Sequence, residues 1–172
     1  MLKLLGAMLI LLAGTLLGFY QASQLSRRPK QVSELIRLLQ RLETEIVYGF
    51  TPLPEALRQI GRSGTPLVGR LFLDTAAELV KRDGRSVQTI WEQTVTSGWR
   101  HTSMKPSERE VLLQLGYTLG LTDREDQVKH LRLAVSQLQG EAEYAREEQQ
   151  RYERMWKSLG VLMGLLVVIL MY

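Results

Sequence analysis

Apolar positions along this chain follow two different rules. In the middle they recur at spacings of three and four, the period of helices that bury one face. At the two ends they run together without a break. Residues Leu4 to Tyr20 are apolar or small throughout, and no charge stands between Leu4 and Ser26 or between Ser158 and Tyr172. Roughly 20 helical residues, at about 1.5 Å each, cross the ~30 Å hydrocarbon core of a bilayer. Residues 1–26 are therefore expected to form one transmembrane helix. The second run, residues 158–172, covers only about 22 Å as a helix. Entry from Met155, with Tyr152 and Trp156 at the interface, brings it close to bilayer thickness. A core helix in its place would have to hide a run with no polar face inside a small polar domain, so a second transmembrane helix is expected.

A cleaved signal peptide competes for the first run, because Lys3 supplies a short positive leader. Cleavage after Ala22 would put Tyr20 where a small residue is wanted, which favours a retained anchor. Arg27, Arg28 and Lys30 follow the first run, and Arg151, Arg154 and Lys157 precede the second. By the positive-inside rule the middle of the chain is expected in the cytoplasm, with both termini on the far side. Each run also carries glycines four residues apart, Gly14 with Gly18 and Gly160 with Gly164. Glycine is common in membrane helices, but the same pair in both runs favours close helix packing.

The middle shows helical periodicity and no convincing strand pattern. Pro29 is expected to open a helix to about Gly49, with Val32, Leu35, Leu39, Leu42 and Ile46 on its apolar face. Thr51-Pro52-Leu53-Pro54 turns into a short helix through Ile60, and Gly61 and Gly64 mark a break. Thr65-Pro66 opens a helix through Val80 that Asp83-Gly84 closes. Ser86 caps the next, which bears Val87, Ile90 and Trp91. Lys105-Pro106-Ser107 starts another through Leu119, with Gly120 as a left-handed terminator. Thr122 and Glu125 form a capping box for the last helix, and Asp123 and Asp126 set negative charge against its macrodipole. From there Val128, Leu131, Val135, Leu138, Ala142, Ala145, Gln149, Tyr152 and Trp156 keep a three-four alternation into Leu159, Met163, Leu166 and Leu170. The expected architecture is all-α: a helical head at residues 27–140 and a charged helical stalk at 141–157 between the terminal spans. The last head helix continues into the second span, and from Thr122 it would measure about 75 Å if straight.

Composition sharpens this picture mainly by its unevenness. The 172 residues are 45% hydrophobic and 23% charged, with a mean hydropathy of −0.09 that looks like an ordinary soluble protein. Yet all 18 acids and 21 of the 22 bases lie between Arg27 and Lys157. The chain has no cysteine, which removes disulfides, thiol chemistry and cysteine-ligated metals. Net charge is +4, and bases never run longer than two, so no stripe for a nucleic-acid backbone exists.

Candidate chemistry is sparse. Gly61-Arg62-Ser63-Gly64-Thr65 lacks the Gly-Lys-Ser/Thr ending and the preceding strand of a phosphate loop, and a turn is the better reading. Asp123, Glu125 and Asp126 sit where acids stabilise a helix start. His130 stands four residues after Asp126 as an exposed ion-pair partner. His101 has no companion at a ligand spacing. Trp91 and Trp99 are core or groove residues before they are a nucleobase platform. No enzyme, metal site, cofactor, nucleic acid or small-molecule substrate is expected.

Several segments carry a resemblance. They are Met1-Leu2-Lys3-Leu4-Leu5-Gly6, Leu42-Glu43-Thr44-Glu45-Ile46, Thr51-Pro52-Leu53-Pro54-Glu55-Ala56-Leu57, and Leu119 to Gln127 with Lys129-His130-Leu131. Together with Ser158 to Leu162 and Val168-Ile169-Leu170, they resemble the stage III sporulation protein AB family of endospore-forming bacteria. Pro52 to Leu57 and Gly84-Arg85-Ser86-Val87 are more distantly similar to the cytoplasmic helical domain of type II secretion F-type platform proteins. The first resemblance implies a membrane subunit of a channel complex, in the mother-cell membrane facing the forespore. Its implied partners are other stage III sporulation A-type membrane proteins and a secretion-type ATPase. The second implies a docking role for the head. Thr122, Asp123, Arg124, Glu125 and Asp126 are the expected interaction node. Arg124 stands out because its charge opposes the helix N-terminus. The alternative reading is a membrane-tethered sensor whose heptad helix signals by changing its pairing, through residues 128–145.

Overall fold

A computed structural model describes residues 26–49, 51–81, 83–120 and 123–171. Among them are six α-helices and no strand, as the periodicity requires: α1 Arg27–Thr44, α2 Leu53–Arg62, α3 Val68–Val80, α4 Val87–Trp99, α5 Pro106–Leu115 and α6 Arg124–Met171. A single π turn, Glu45–Gly49, ends α1. The chain divides into two compact units, residues 30–143 and residues 1–29 with 144–172. The first unit is the helical head.

The head forms because each helix has one apolar face and no helix can bury it alone. On α1, Val32, Leu35, Leu38, Leu39 and Leu42 are fully buried, while Arg37, Gln40 and Arg41 stay exposed. On α6, Leu131, Ala134, Val135, Leu138 and Ala142 join the same core. Leu57, Ile60, Phe72, Trp91, Val95, Leu112, Leu115 and Leu119 fill the space between. Each large side chain taken fully from water adds about 1.5–3 kcal/mol before entropy is charged against it. Phe72 and Trp91 meet edge to face, ring centres 6.0 Å apart.

Consecutive head helices alternate in direction, giving the unit two ends. At the entry end the chain comes in at Lys30 and leaves near Glu143. There Gln31 Oε1 accepts the Ser103 N–H at 2.7 Å, and Glu34 receives the Thr65 hydroxyl at 2.7 Å and also its N–H. Ser107 donates to Glu141 at 3.0 Å. The far end gathers the α1–α2, α3–α4 and α5–α6 connections. There Gly120, at φ +73°, lies against Leu53 and Val87.

Helix limits depart from the sequence expectation in informative ways. α1 starts at Arg27, two residues before Pro29, because the first-turn N–H groups have no helical partner and proline sacrifices nothing there. Gly61 is not a break. It lies inside α2, where a Cβ would stand 2.8 Å from the Gly69 carbonyl, and a Cβ on Gly69 would stand 2.3 Å from the Gly61 carbonyl. These glycines let the α2 and α3 backbones touch. α5 stops at Leu115 and not at Leu119. The Trp91 indole N–H takes the Leu112 carbonyl at 2.7 Å, and the Gly116 N–H bonds Leu113 instead at 3.0 Å. A Cβ on Gly116 would meet Trp91 Cδ1 at 2.4 Å, so only glycine admits the indole.

The buried seam of α6 includes Leu131, Val135, Leu138, Ala142 and Ala145, as the alternation predicts, but Val128 and Gln149 are half-buried and Tyr152 is exposed. Among the described residues no helix is long and apolar enough to cross a membrane. The expected first span, with Gly14 and Gly18, lies outside the described residues. Residues 158–171 continue α6, and their short apolar run follows a stalk interrupted by Arg151, Glu153, Arg154 and Lys157. The surroundings of Gly160 and Gly164 lie outside the described residues.

Candidate interaction site

The expected node sits at the far end of the head. Thr122 lies outside the described residues. The helix begins at Arg124, which makes Asp123 the capping residue in place of Thr122. Its Oδ1 accepts the Asp126 N–H at 2.8 Å, and its carbonyl accepts the Gln127 N–H at 3.1 Å. The one-residue shift follows from the cap itself: a carboxylate is at least as good an N-cap as a threonine hydroxyl, and here it adds charge against the dipole. Arg124 and Glu125 are exposed and Asp126 is half-buried. Asp126 pairs with Lys129 at 3.5 Å; among the described residues His130 forms no ion pair.

The same end holds a charge network that residue spacing did not disclose. Arg85 donates to Asp83 Oδ2 at 2.7 Å, Glu78 Oε2 at 2.5 Å and Gln93 Oε1 at 2.9 Å. Lys81 closes on the other Glu78 oxygen. The turn is possible because Gly84 takes φ +85° in open space, and Ser86 then caps α4 by accepting the Thr89 N–H at 3.1 Å. Lys81, then Arg85, hold the Glu78 carboxyl below its usual range. Arg85 does the same for Asp83, and these two acids raise Arg85 in turn. The signal was present as Asp83-Gly84-Arg85, but Glu78 joins only because α3 ends one turn short of α4. Exposed Tyr117 and Val80 belong to the same end.

Elsewhere polar groups serve the fold. The Gly61–Thr65 segment is a helix crossing, with Arg37 donating to the Ser63 carbonyl at 3.2 Å. Buried Glu108 accepts the Lys105 N–H at 2.6 Å and starts α5. Thr75 and Thr94, both buried, bond each other at 2.6 Å between α3 and α4. Trp91 and Trp99 are core residues, and His101 is exposed. The 131–142 part of the α6 seam is used inside the head, so the surface that the sensor reading would pair is already covered.

The family profile of stage III sporulation protein AB matches residues 3–172. The chain belongs to the stage III sporulation protein AB family. A curated relative, stage III sporulation protein AB of Bacillus subtilis (strain 168), is 44% identical over 171 residues, 99% of each chain. A solved structure of a stage III sporulation protein AB superposes with a TM-score of 0.68 at 41% identity, over 73% of this chain and 98% of that one. The resemblance carried by the Leu119–Gln127 and Pro52–Leu57 segments is thus a family relationship across the whole length.

Proposed function

We propose that this chain is a non-enzymatic, two-span subunit of a secretion-like channel between mother cell and forespore. Its head is a platform that joins a secretion-type ATPase to the membrane-embedded ring components. The observation that carries the reading is the double use of α6. Between Leu131 and Ala142 the helix supplies one wall of the head core, and toward its C-terminus the apolar residues Leu159, Leu162, Leu166 and Ile169 are exposed at 44–66%. Apolar side chains left open along a helix end call for lipid or a membrane partner. The far end, with Asp123, Arg124, Glu125 and Asp126 beside the Asp83–Arg85 turn, is the face for the ATPase. Gly14, Gly18, Gly160 and Gly164 are the packing points of the spans.

Two experiments test this. Alkaline extraction of membranes from sporulating cells leaves the full chain in the pellet, and a reporter fused at Gly140 behaves as cytoplasmic. Release into the supernatant, or external reporter activity, overturns the two-span topology. Pull-down of the full chain recovers the secretion-type ATPase, and Arg124→Glu weakens recovery. Wild-type recovery and sporulation with both Arg124→Ala and Arg124→Glu would end the role given to the node.

A further inference from the structure

Three bases follow the first apolar run, and the fold treats one of them differently. Arg27 and Lys30 are exposed, which suits residues that only mark the inner side of a membrane. The Arg28 side chain is 11% exposed and bonds Glu148 at 2.7 Å, across 120 residues of sequence. Nothing local on α1 favours it there. Arg28 stands in the first turn, which holds no acid, and a cation in that turn works against the helix dipole. A guanidinium taken so far out of water also needs a charged partner, because solvent screens it little. Glu148 supplies that partner from α6.

The pair sits in a packed contact. In the unit of residues 1–29 and 144–172, the buried residues among those described are Pro29 and Ala145. Pro29 follows Arg28 directly, and Ala145 precedes Glu148 by three positions, on the same face of α6. Farther along α6, Gln149 is half-buried and Tyr152 is exposed, so apolar packing fades within the stalk. The charges also define a register. Sliding α6 by one turn, about 5.4 Å, against α1 would bring Tyr144 or Tyr152 to Arg28 in place of a carboxylate and leave the buried guanidinium without this partner.

We infer that the Arg28–Glu148 ion pair is a clamp that ties the start of α1 to the stalk in one register, so that the two spans act as one pair and a pull on either is carried by both. The inference rests on the two-span reading and adds the part that couples the spans.

The test uses the full chain, which lacks cysteine, reconstituted in lipid nanodiscs. Spin labels on Arg27→Cys and Gln150→Cys, both exposed positions, report the distance between the two helices by pulsed electron paramagnetic resonance. The parent gives one narrow distance peak. Arg28→Glu sets two carboxylates against each other and loses the peak; Arg28→Glu combined with Glu148→Arg regains it. A glutamate in the first turn favours the start of α1 itself, so the lost peak reports the pair and not a frayed helix. A second label pair within the head, Gln40→Cys with Tyr117→Cys, keeps its peak in all three backgrounds. In sporulating cells the yield of heat-resistant spores falls with Arg28→Glu and recovers with the charge swap. A 27–150 peak that stays narrow in Arg28→Glu overturns the inference, as does a swap no better than the single variant. So does a head pair that broadens in step, or a spore yield that ignores the charges. A chain that stays out of the discs overturns the two-span reading instead, and the same labels in detergent still read the clamp.

Discussion

The two ends of the helical head are made of the same kind of parts, short connections between antiparallel helices, and they differ in how far their charges are networked. At the far end, Arg85 is surrounded by Asp83, Glu78 and Gln93, and Arg132 reaches Glu43 at 2.7 Å. The bases there serve local structure. At the entry end, Lys30, Arg62 and Arg100 stand exposed, while Glu34 accepts the Thr65 hydroxyl at 2.7 Å and pairs with Arg37 at 3.7 Å. Each end also has a contact that only glycine permits: Gly61 with Gly69 at the entry end, Gly116 with Trp91 at the far end. The first is backbone against backbone and the second backbone against an indole ring, so each end is fixed by a close contact that carries no charge.

Removing what holds each end separates architecture from charge, and Trp91→Ala has the largest expected effect. It deletes a buried ring, its edge contact with Phe72 and the bond to Leu112, at a cost of about 4 kcal/mol in thermal or urea unfolding. Gly69→Ala comes next, because its Cβ would press on the Gly61 carbonyl, a backbone atom. About 3 kcal/mol is expected, and a melting temperature near the parent's would mean that the α2–α3 crossing is looser than described. Asp123→Ala removes a cap at the far end and costs about 1 kcal/mol, while Asp123→Asn retains most of the stability. The smallest effect belongs to the Arg85 network, which is solvent-exposed. Because Glu78 and Asp83 are depressed in the folded state, their contribution is present at neutral pH. It is lost as pH falls below about 4, where the unfolded carboxyls also take up protons. Arg85→Ala therefore flattens the acid limb of the stability profile, and an unchanged limb would remove the network from the account. The entry-end bases give no comparable loss: Arg62→Gln and Arg100→Gln leave the melting temperature unchanged.

Much of the fold was legible because apolar spacing and punctuation agree. Ser86 and Pro106 stand at helix starts, Thr65-Pro66 lies just ahead of α3, which begins at Val68 after Leu67, and Leu131, Val135 and Leu138 are buried at the predicted spacing. What escaped the sequence depends on neighbours distant in the chain. Gly61 looks like punctuation until Gly69 is placed against it. Leu119 looks helical until Trp91 claims the carbonyl that would extend α5. Capping shifts from Thr122 to Asp123 by a choice between two competent residues, which spacing does not resolve. At the candidate site, Asp123 to Asp126 could be picked out from their order along the chain, but the Glu78–Arg85 link could not. It needs the turn at Gly84 that sets the end of α3 against the start of α4.

The account turns on the two ends having different neighbours, and site-specific photocrosslinking in sporulating cells tests that most directly. A photoreactive residue replacing Tyr117 at the far end should give an adduct with the secretion-type ATPase, and one replacing His101 at the entry end should give none. An ATPase adduct from position 101, or none from position 117 and its far-end neighbour Arg124, would contradict it.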